Sequence, residues 1–263
     1  MIDVSIVIIT WNAKKYLGRL LESIKKYSSG FTYEIIIVDN NSTDGTIEYL
    51  KENHSDIKLI RNEKNLGVAK ARKIGMQETT GKYNLILDVD MELIENSIKK
   101  LLDFMNANLD VGLVGSKLVY SNKELQYSCK NFPSILSLLA RRLDSIEFVK
   151  NSKTLKNHLM SDWDHNEIKE VDYLIGACQF IRRDVIEKIG YYDDTIFYGP
   201  EDIDYCIRVW RANWKVVYFP FTTIIHFEQR ITKTSFFSKI TLKHFLGILY
   251  LFKKYNCKLS RSA

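Results

Sequence analysis

At 263 residues, 46% of them apolar, the chain can bury one substantial core and is globular, which excludes a disordered protein. The formal net charge of +6 is mild; it suits phosphate-rich ligands or an anionic bilayer surface, and with no basic stripe interleaved with aromatics no nucleic-acid partner is expected. Cys129, Cys178, Cys206 and Cys257 are scattered without a C-x-x-C pair, which excludes a zinc finger and points to reduced thiols instead of a disulfide framework.

The first half of the chain alternates between two periods. Residues 4–10 are a β-branched apolar run read as a buried strand, and Asn12 is placed to cap the helix on which Leu17, Leu20, Leu21 and Ile24 share a face. A second strand at 34–38 ends on Asp39, followed by a helix at 43–52 and a third strand at 57–60. A helix is predicted at 66–79, a strand at 83–87, a helix carrying Ile94, Ile98, Leu101, Leu102 and Met105, and a strand at 111–119. Residues 123–170 lose this regularity and read as an irregular insertion with short helices around 135–143. Order returns with 171–181, a helix after Asp184, a helix at 201–212, short strands at 215–219 and 223–227, and a final helix over 236–254. The expected organisation is a nucleotide-sugar-binding half at 1–122, the insertion at 123–170, an acceptor and catalytic half of the same domain at 171–232, and a C-terminal amphipathic helix and tail at 233–263.

Strands apolar on both faces, alternating with amphipathic helices, predict an α/β fold with a mainly parallel sheet covered on both sides. Ligands of such sheets bind at the carboxyl ends of the strands. The polar clusters fall there: Thr10-Trp11-Asn12, Asp39 to Ser42, Asn65, and Asp88-Val89-Asp90. Two carboxylates one residue apart in an extended turn can reach one divalent cation, and taken alone the same pair is as readily a solvated Asx turn. Asp39 can accept from a pyrimidine imide, or it or Ser42 can cap the following helix. Glu201 and Asp202 open a helix, where acidic residues complement the dipole and can also supply a general base. His226 ends a strand, as a third metal ligand or as an ordinary half-buried imidazole.

The ordered segments VSIVIITWN (4–12), EIIIVDNNSTDGT (34–46), NLGVAKARKIG (65–75), GKYNLILDVD (81–90), GACQFIRRDVIEKIGYYDD (176–194) and YGPEDIDYCIRVWRANWKVVYFPFTTIIHFEQ (198–229) together resemble the family 2 glycosyltransferases, inverting enzymes of the GT-A fold. The last two resemble its rhamnosyltransferase-like branch, which builds surface polysaccharides. The resemblance implies a metal-dependent transferase moving rhamnose or another hexose from a dTDP- or UDP-sugar to a glycan or lipid-linked saccharide. It places Thr10 and Asp39 at the pyrimidine and Asn65 and Arg72 around the nucleotide. It assigns Asp88-Val89-Asp90 to ribose and metal, with Asp90 the direct ligand, and His226 to the rest of the Mg²⁺ or Mn²⁺ shell. Asp202 falls at the catalytic base with Glu201 beside it, and Gly176 and Ala177 at the sugar pocket. Apart from the resemblance, Arg230 stands just past the histidine, where its charge can face the pyrophosphate. Asn40 departs from relatives that carry a second aspartate there, and the irregular 123–170 adds no motif to the resemblance and leaves the acceptor open.

Two other readings compete. A sugar-nucleotidyltransferase wants a glycine-rich, basic triphosphate loop after the first strand, which Thr10-Trp11-Asn12-Ala13 does not supply, and a nicotinamide oxidoreductase fails because no G-x-G-x-x-G stands there. A catalytically silent nucleotide-sugar-binding relative is opposed by Asp90, Asp202 and His226.

The tail places Leu242, Phe245, Leu246, Leu249 and Phe252 on one helical face among several lysines. Such a helix rests at a bilayer interface or packs on its own domain or a partner subunit. With no basic leader and no span-length apolar run, a cytoplasmic location with peripheral membrane contact through 236–258 is expected.

Overall fold

The computed structural model describes residues 2–228 and 239–262. Strands β1 (Val4–Thr10), β2 (Tyr33–Asp39), β3 (Lys58–Arg61) and β4 (Tyr83–Asp88) lie parallel in the order β3-β2-β1-β4. Their crossovers are α1 (Lys14–Tyr27), α2 (Thr46–Asn53) and α3 (Val68–Gln77). The chain continues through β5 (Met91–Leu93), α4 (Ser97–Ala107) and β6 (Val111–Val119).

Strand periodicity explains why these runs are apolar throughout. Ile6 and Ile8 of β1 join Leu17, Leu20 and Ile24 of α1 and Ile98, Leu101 and Met105 of α4 in one core. Val7 between them, with Ile86 of β4, enters a second core with Ala69 and Met76 of α3. Successive side chains point to opposite faces, and both faces are covered by helices.

The insertion holds β7 (Leu125–Gln126), β8 (Cys129–Lys130), the short helices α5 (Ile135–Arg142), α6 (Glu147–Lys150) and α7 (Lys153–Leu159), and β9 (Lys169–Glu170). Then come β10 (Tyr173–Leu174), β11 (Cys178–Arg182), α8 (Arg183–Ile189), α9 (Glu201–Arg211), β12 (Lys215–His226) and α10 (Lys239–Lys254). β8 and β10 form a separate antiparallel pair with Lys130 opposite Tyr173.

Several expectations change. The strand at 111–119 does not extend the parallel series directly: β11 inserts antiparallel between β4 and β6, welding the two halves into one sheet. The two strands expected after residue 214 are one, β12, whose pairing with β6 shifts register between Lys215 and Val216 and again between Phe219 and Thr223. Asn12 does not cap α1. It sits at a φ of 51° and its Oδ1 accepts from the Thr43 amide at 2.7 Å, tying the first loop to the second. Neither Asp39 nor Ser42 caps α2, which begins after Gly45 in the left-handed region at φ 82°, with Asp44 Oδ1 accepting from Thr46 N. Ile94 lies half exposed ahead of α4 and not on its buried face.

Candidate active site

The ends of β1, β2 and β4 open into a cavity of about 2050 Å³. Thr10 and Asp39 are register partners at the last rung of the parallel β1–β2 pair. Asp39 Oδ2 accepts from Ser42 N at 2.9 Å. Its Oδ1 and the Thr10 hydroxyl are buried without a hydrogen-bond partner among the described residues. Buried polar atoms left unpaired are costly, and these two stand side by side at the ends of β1 and β2. Asn40 plays a different part, donating to Gly67 O and accepting from Asn62 Nδ2, and so shapes the loop that carries Asn65. Asn65 itself accepts from Gly67 N in a tight turn. Gly67 adopts φ 87°, and a Cβ there would lie 2.3 Å from the Phe197 carbonyl oxygen.

On the opposite wall β4 delivers the D-x-D. Asp88 N donates to Ala177 O at 2.9 Å, and the buried Val89 anchors the turn between the carboxylates. Pairing of β5 with β12 sets His226 opposite Met91, and Phe227 N donates to Asp90 O, so His226 arrives beside Asp90. Carboxylate oxygens of Asp88 and Asp90 and a ring nitrogen of His226 lie within 4.8 Å of one another. His226 Nε2 stands 3.4 Å from Asp90 Oδ1, while Nδ1 meets Gln126 Oε1 at 2.8 Å. An imidazole oriented through its far nitrogen, with two carboxylates at its near one, fits a small divalent cation. Burial opposes protonation of His226, but the hydrogen bond and charge of Asp90, with Asp88 and Glu228, raise its pKa on balance.

Arg72 joins the D-x-D to the second acidic pair. Projecting from α3 and 2% exposed, it donates through Nη1 to Glu201 Oε1 at 3.0 Å, and through Nη2 to Asp88 Oδ1 and Gly176 O, both at 2.8 Å. Burial opposes its charge, and Asp88 and Glu201 outweigh that and hold the guanidinium firmly protonated. Sequence reasoning set Arg72 around the nucleotide; in the structure its guanidinium is engaged as the internal tie between two loops. Gly176 is required for this approach, since a Cβ would fall 2.3 Å from Arg72 Nη1.

Glu201 and Asp202 begin α9 but differ in environment. Glu201 is buried and both its oxygens are engaged, by Arg72 and by Gly199 N at 2.8 Å. Burial pushes its carboxyl up to about 7 against the pull of Arg72. Asp202 is less enclosed and lines the cavity; Oδ2 accepts from Gly176 N and Oδ1 from Ile203 N. Its pKa is also raised by burial, with Lys130 and Arg72 pulling the other way. Gly176 and Ala177 thus form a crosspiece, bonded to Asp202 and Arg72 on one side and to Asp88 on the other.

Of the residues expected from sequence, Asn65, Arg72, Asp88, Val89, Asp90, Gly176, Ala177, Glu201, Asp202 and His226 line the cavity, whereas Thr10 and Asp39 are fully buried at the ends of β1 and β2 and do not line it. Arg230 lies outside the described residues. Sequence reasoning missed Gln126, which orients His226, and Lys130, which faces Asp202 across the cavity. Both sit in the patternless insertion, where no period or motif flags them.

A cavity at strand carboxyl ends, with a cation-sized acidic cluster on one wall and a carboxylate at a helix start on another, agrees with one sequence family. Residues 5–190 match the model of glycosyl transferase family 2. The chain belongs to that family. It is a glycosyltransferase of GT-A architecture, and the sugar-nucleotidyltransferase alternative falls away. It is 23% identical over 257 residues to an N-acetylglucosaminyl-diphospho-decaprenol L-rhamnosyltransferase of Mycobacterium tuberculosis, covering 94% of this chain and 83% of that protein. It is 24% identical over 238 residues to the low-salt glycan biosynthesis hexosyltransferase Agl10 of Haloferax volcanii, covering 89% and 70%. Among solved structures, GalNAc-T7 with UDP, GalNAc and Mn²⁺ superposes with a TM-score of 0.64 at 19% identity, over 86% of this chain and 44% of that one. The mannosyltransferase PcManGT of Pyrobaculum calidifontis with GDP-Man and Mn²⁺ gives 0.61 at 17%, over 94% and 64%. The family 2 transferase therefore spans less than two thirds of either solved chain, and these two likenesses carry the fold alone.

Proposed function

We propose that this transferase moves a hexose, rhamnose or another, from a dTDP- or UDP-sugar to a glycan or lipid-linked saccharide in surface-polysaccharide synthesis, with inversion and with a divalent metal. The observation that carries this is the grouping of Asp88, Asp90 and His226 within 4.8 Å on the cavity that Asp202 also lines. Asp88, Asp90 and His226 would hold Mg²⁺ or Mn²⁺, which when bound neutralises charge on a departing diphosphate. Thr10 and Asp39 supply unspent hydrogen-bonding atoms for a pyrimidine edge. Asp202 takes the proton of the acceptor hydroxyl as it attacks the anomeric carbon from the face opposite the leaving group. Of the two acids Asp202 is the better base, since it is the more exposed to the cavity, whereas Glu201 is buried and ion-paired with Arg72. Glu201 and Arg72 position the helix start and the crosspiece. The mycobacterial and haloarchaeal relatives support a sugar-chain acceptor.

The reading extends to the membrane surface. No helix among the described residues is long and apolar enough to cross a bilayer. Leu242, Phe245, Leu246 and Leu249 of α10 are half exposed or more, as are Ile135, Leu136 and Leu139 of α5. Both helices border the same cavity, and Arg141, Arg142, Lys239 and Lys243 accompany these apolar faces. Such a surface rests on an anionic leaflet. Phe252 and Leu251, on the other hand, are buried, and Lys254 pairs with Asp193 at 2.6 Å and Asp204 at 2.7 Å. α10 is thus docked along one face, through Thr241, Gly247, Leu251 and Phe252, and open along the other.

The test is a thermal-shift screen of nucleotide diphosphates and their sugars with Mg²⁺ or Mn²⁺. UDP or dTDP should stabilise the protein only with metal, and Asp90→Ala should abolish the effect. Indifference to every nucleotide diphosphate defeats the reading.

A further inference from the structure

Lys130 is 6% exposed, stands on β8 opposite Tyr173, and lines the cavity with Asp202. Its ammonium lies over the Tyr173 ring at 5.8 Å and has no hydrogen bond or ion pair among the described residues. A buried ammonium without a hydrogen-bonded counter-charge is expensive. The surroundings add to the cost: burial and the neighbouring Arg141 pull Lys130 down to about 7, against Asp202 and Glu228. His158 on α7 is pushed to about 3 by burial, Lys130 and Arg141, so it is neutral and adds no compensating charge. Arg141 comes from α5, the next element after β8, and lines the same cavity. Two separate elements thus bring cations to one cavity, with no acid bonded to Lys130 among the described residues.

We infer that Lys130 and Arg141 form an anion subsite on the acceptor side of the cavity, built for a phosphate or diphosphate carried by the acceptor. This rests on the transferase reading, in which Asp202 marks the acceptor's path. An anionic oxygen there supplies the hydrogen bonds that Lys130 lacks and places a neighbouring sugar hydroxyl toward Asp202. It also restricts acceptors to phosphorylated saccharides, because a neutral glycan leaves the buried ammonium unpaired.

The test is calorimetric titration of the full chain with inorganic pyrophosphate in EDTA, where Asp88, Asp90 and His226 have no cation through which to hold it. Wild type should bind, Lys130→Met and Arg141→Met should each weaken binding about tenfold or more, and Asp90→Ala should leave it unchanged. Arg141 is partly exposed, so its variant tests the subsite without disturbing buried packing. Equal binding by wild type and both variants, absence of metal-free binding, or loss in Asp90→Ala instead would overturn the inference. A parallel arm measures UDP with Mn²⁺: retention of that shift in Lys130→Met shows the donor side intact, and its absence in wild type sinks the transferase reading separately. Geranyl diphosphate against pyrophosphate distinguishes the source, a lipid-borne phosphate binding more tightly and a soluble one no better.

Discussion

Replacing Arg72 by Met removes the tie among Asp88, Glu201 and Gly176 while keeping most of its volume. The three bonds are not equal. The Asp88 side chain is 34% exposed, so water screens that pair and its loss costs little. Glu201, with a side chain 6% exposed, is left as a buried carboxylate whose remaining bond is from Gly199 N. Stranding one partner of a buried ion pair costs about 3–5 kcal/mol. With an unfolding entropy of about 2.1 cal/mol/K per residue over 263 residues, that lowers Tm by about 5–9 °C. The cost is tied to the charge on Glu201, so it should shrink at about pH 5, where Glu201 takes up a proton. It should shrink likewise in a Glu201→Gln background, giving a coupling energy of about 1–3 kcal/mol in a double-mutant cycle. Circular-dichroism melts of the four proteins at about pH 5 and pH 8 measure both. A deficit that is absent, or identical at both pH values and additive with Glu201→Gln, refutes the assignment of Arg72 as the charge that holds Glu201.

Three further outcomes are expected. Asp202→Asn should keep metal-dependent nucleotide binding while kcat falls about 10²–10⁴-fold; near-normal turnover would move the base elsewhere. Glu201 has a folded pKa of about 7 against an ordinary 4.5, so its folded form prefers the proton. Its contribution to stability is therefore complete below about 4.5 and lost as pH rises through about 7. Urea midpoints should fall between about pH 5 and pH 8, and Glu201→Gln should flatten that fall; an unchanged slope would assign it to another group. Finally, Leu246→Glu with Leu249→Glu should release the protein from anionic vesicles in flotation without altering its far-ultraviolet spectrum, and undiminished flotation would remove the membrane role of α10.

The parallel half of the sheet was legible because strands covered on both faces must be apolar at every position, as in Val4–Thr10 and Tyr83–Asp88. The polar ends of those strands, Thr10, Asp39 and Asp88, stood out for the same reason: each interrupts an apolar run where a sheet of this kind meets its ligand. Asp202 and His226 were recognisable only through an ordered set of motifs, since each alone reads as an ordinary helix-start acid or strand-end imidazole.

Other features are absent from any local pattern. That β11 slips antiparallel between β4 and β6 depends on which strand edge is free once the first four have paired, and periodicity does not encode edge order. Asn12 looked like a helix cap because short polar side chains satisfy any nearby amide, and only tertiary contact selected Thr43 N; Asp39 spends one oxygen on Ser42 N, a local bond made ahead of the helix. The sequence by itself determined a doubly covered α/β sheet, its ligand edge and the acidic residues on it, because burial on two faces leaves a continuous trace in residue type. Tertiary structure decided what those residues face. Arg72 meets Glu201 across 129 positions of chain, and Lys130 and Arg141 come to the same cavity as Asp202, because the order of strands in the sheet brings distant loops together, which linear spacing does not record.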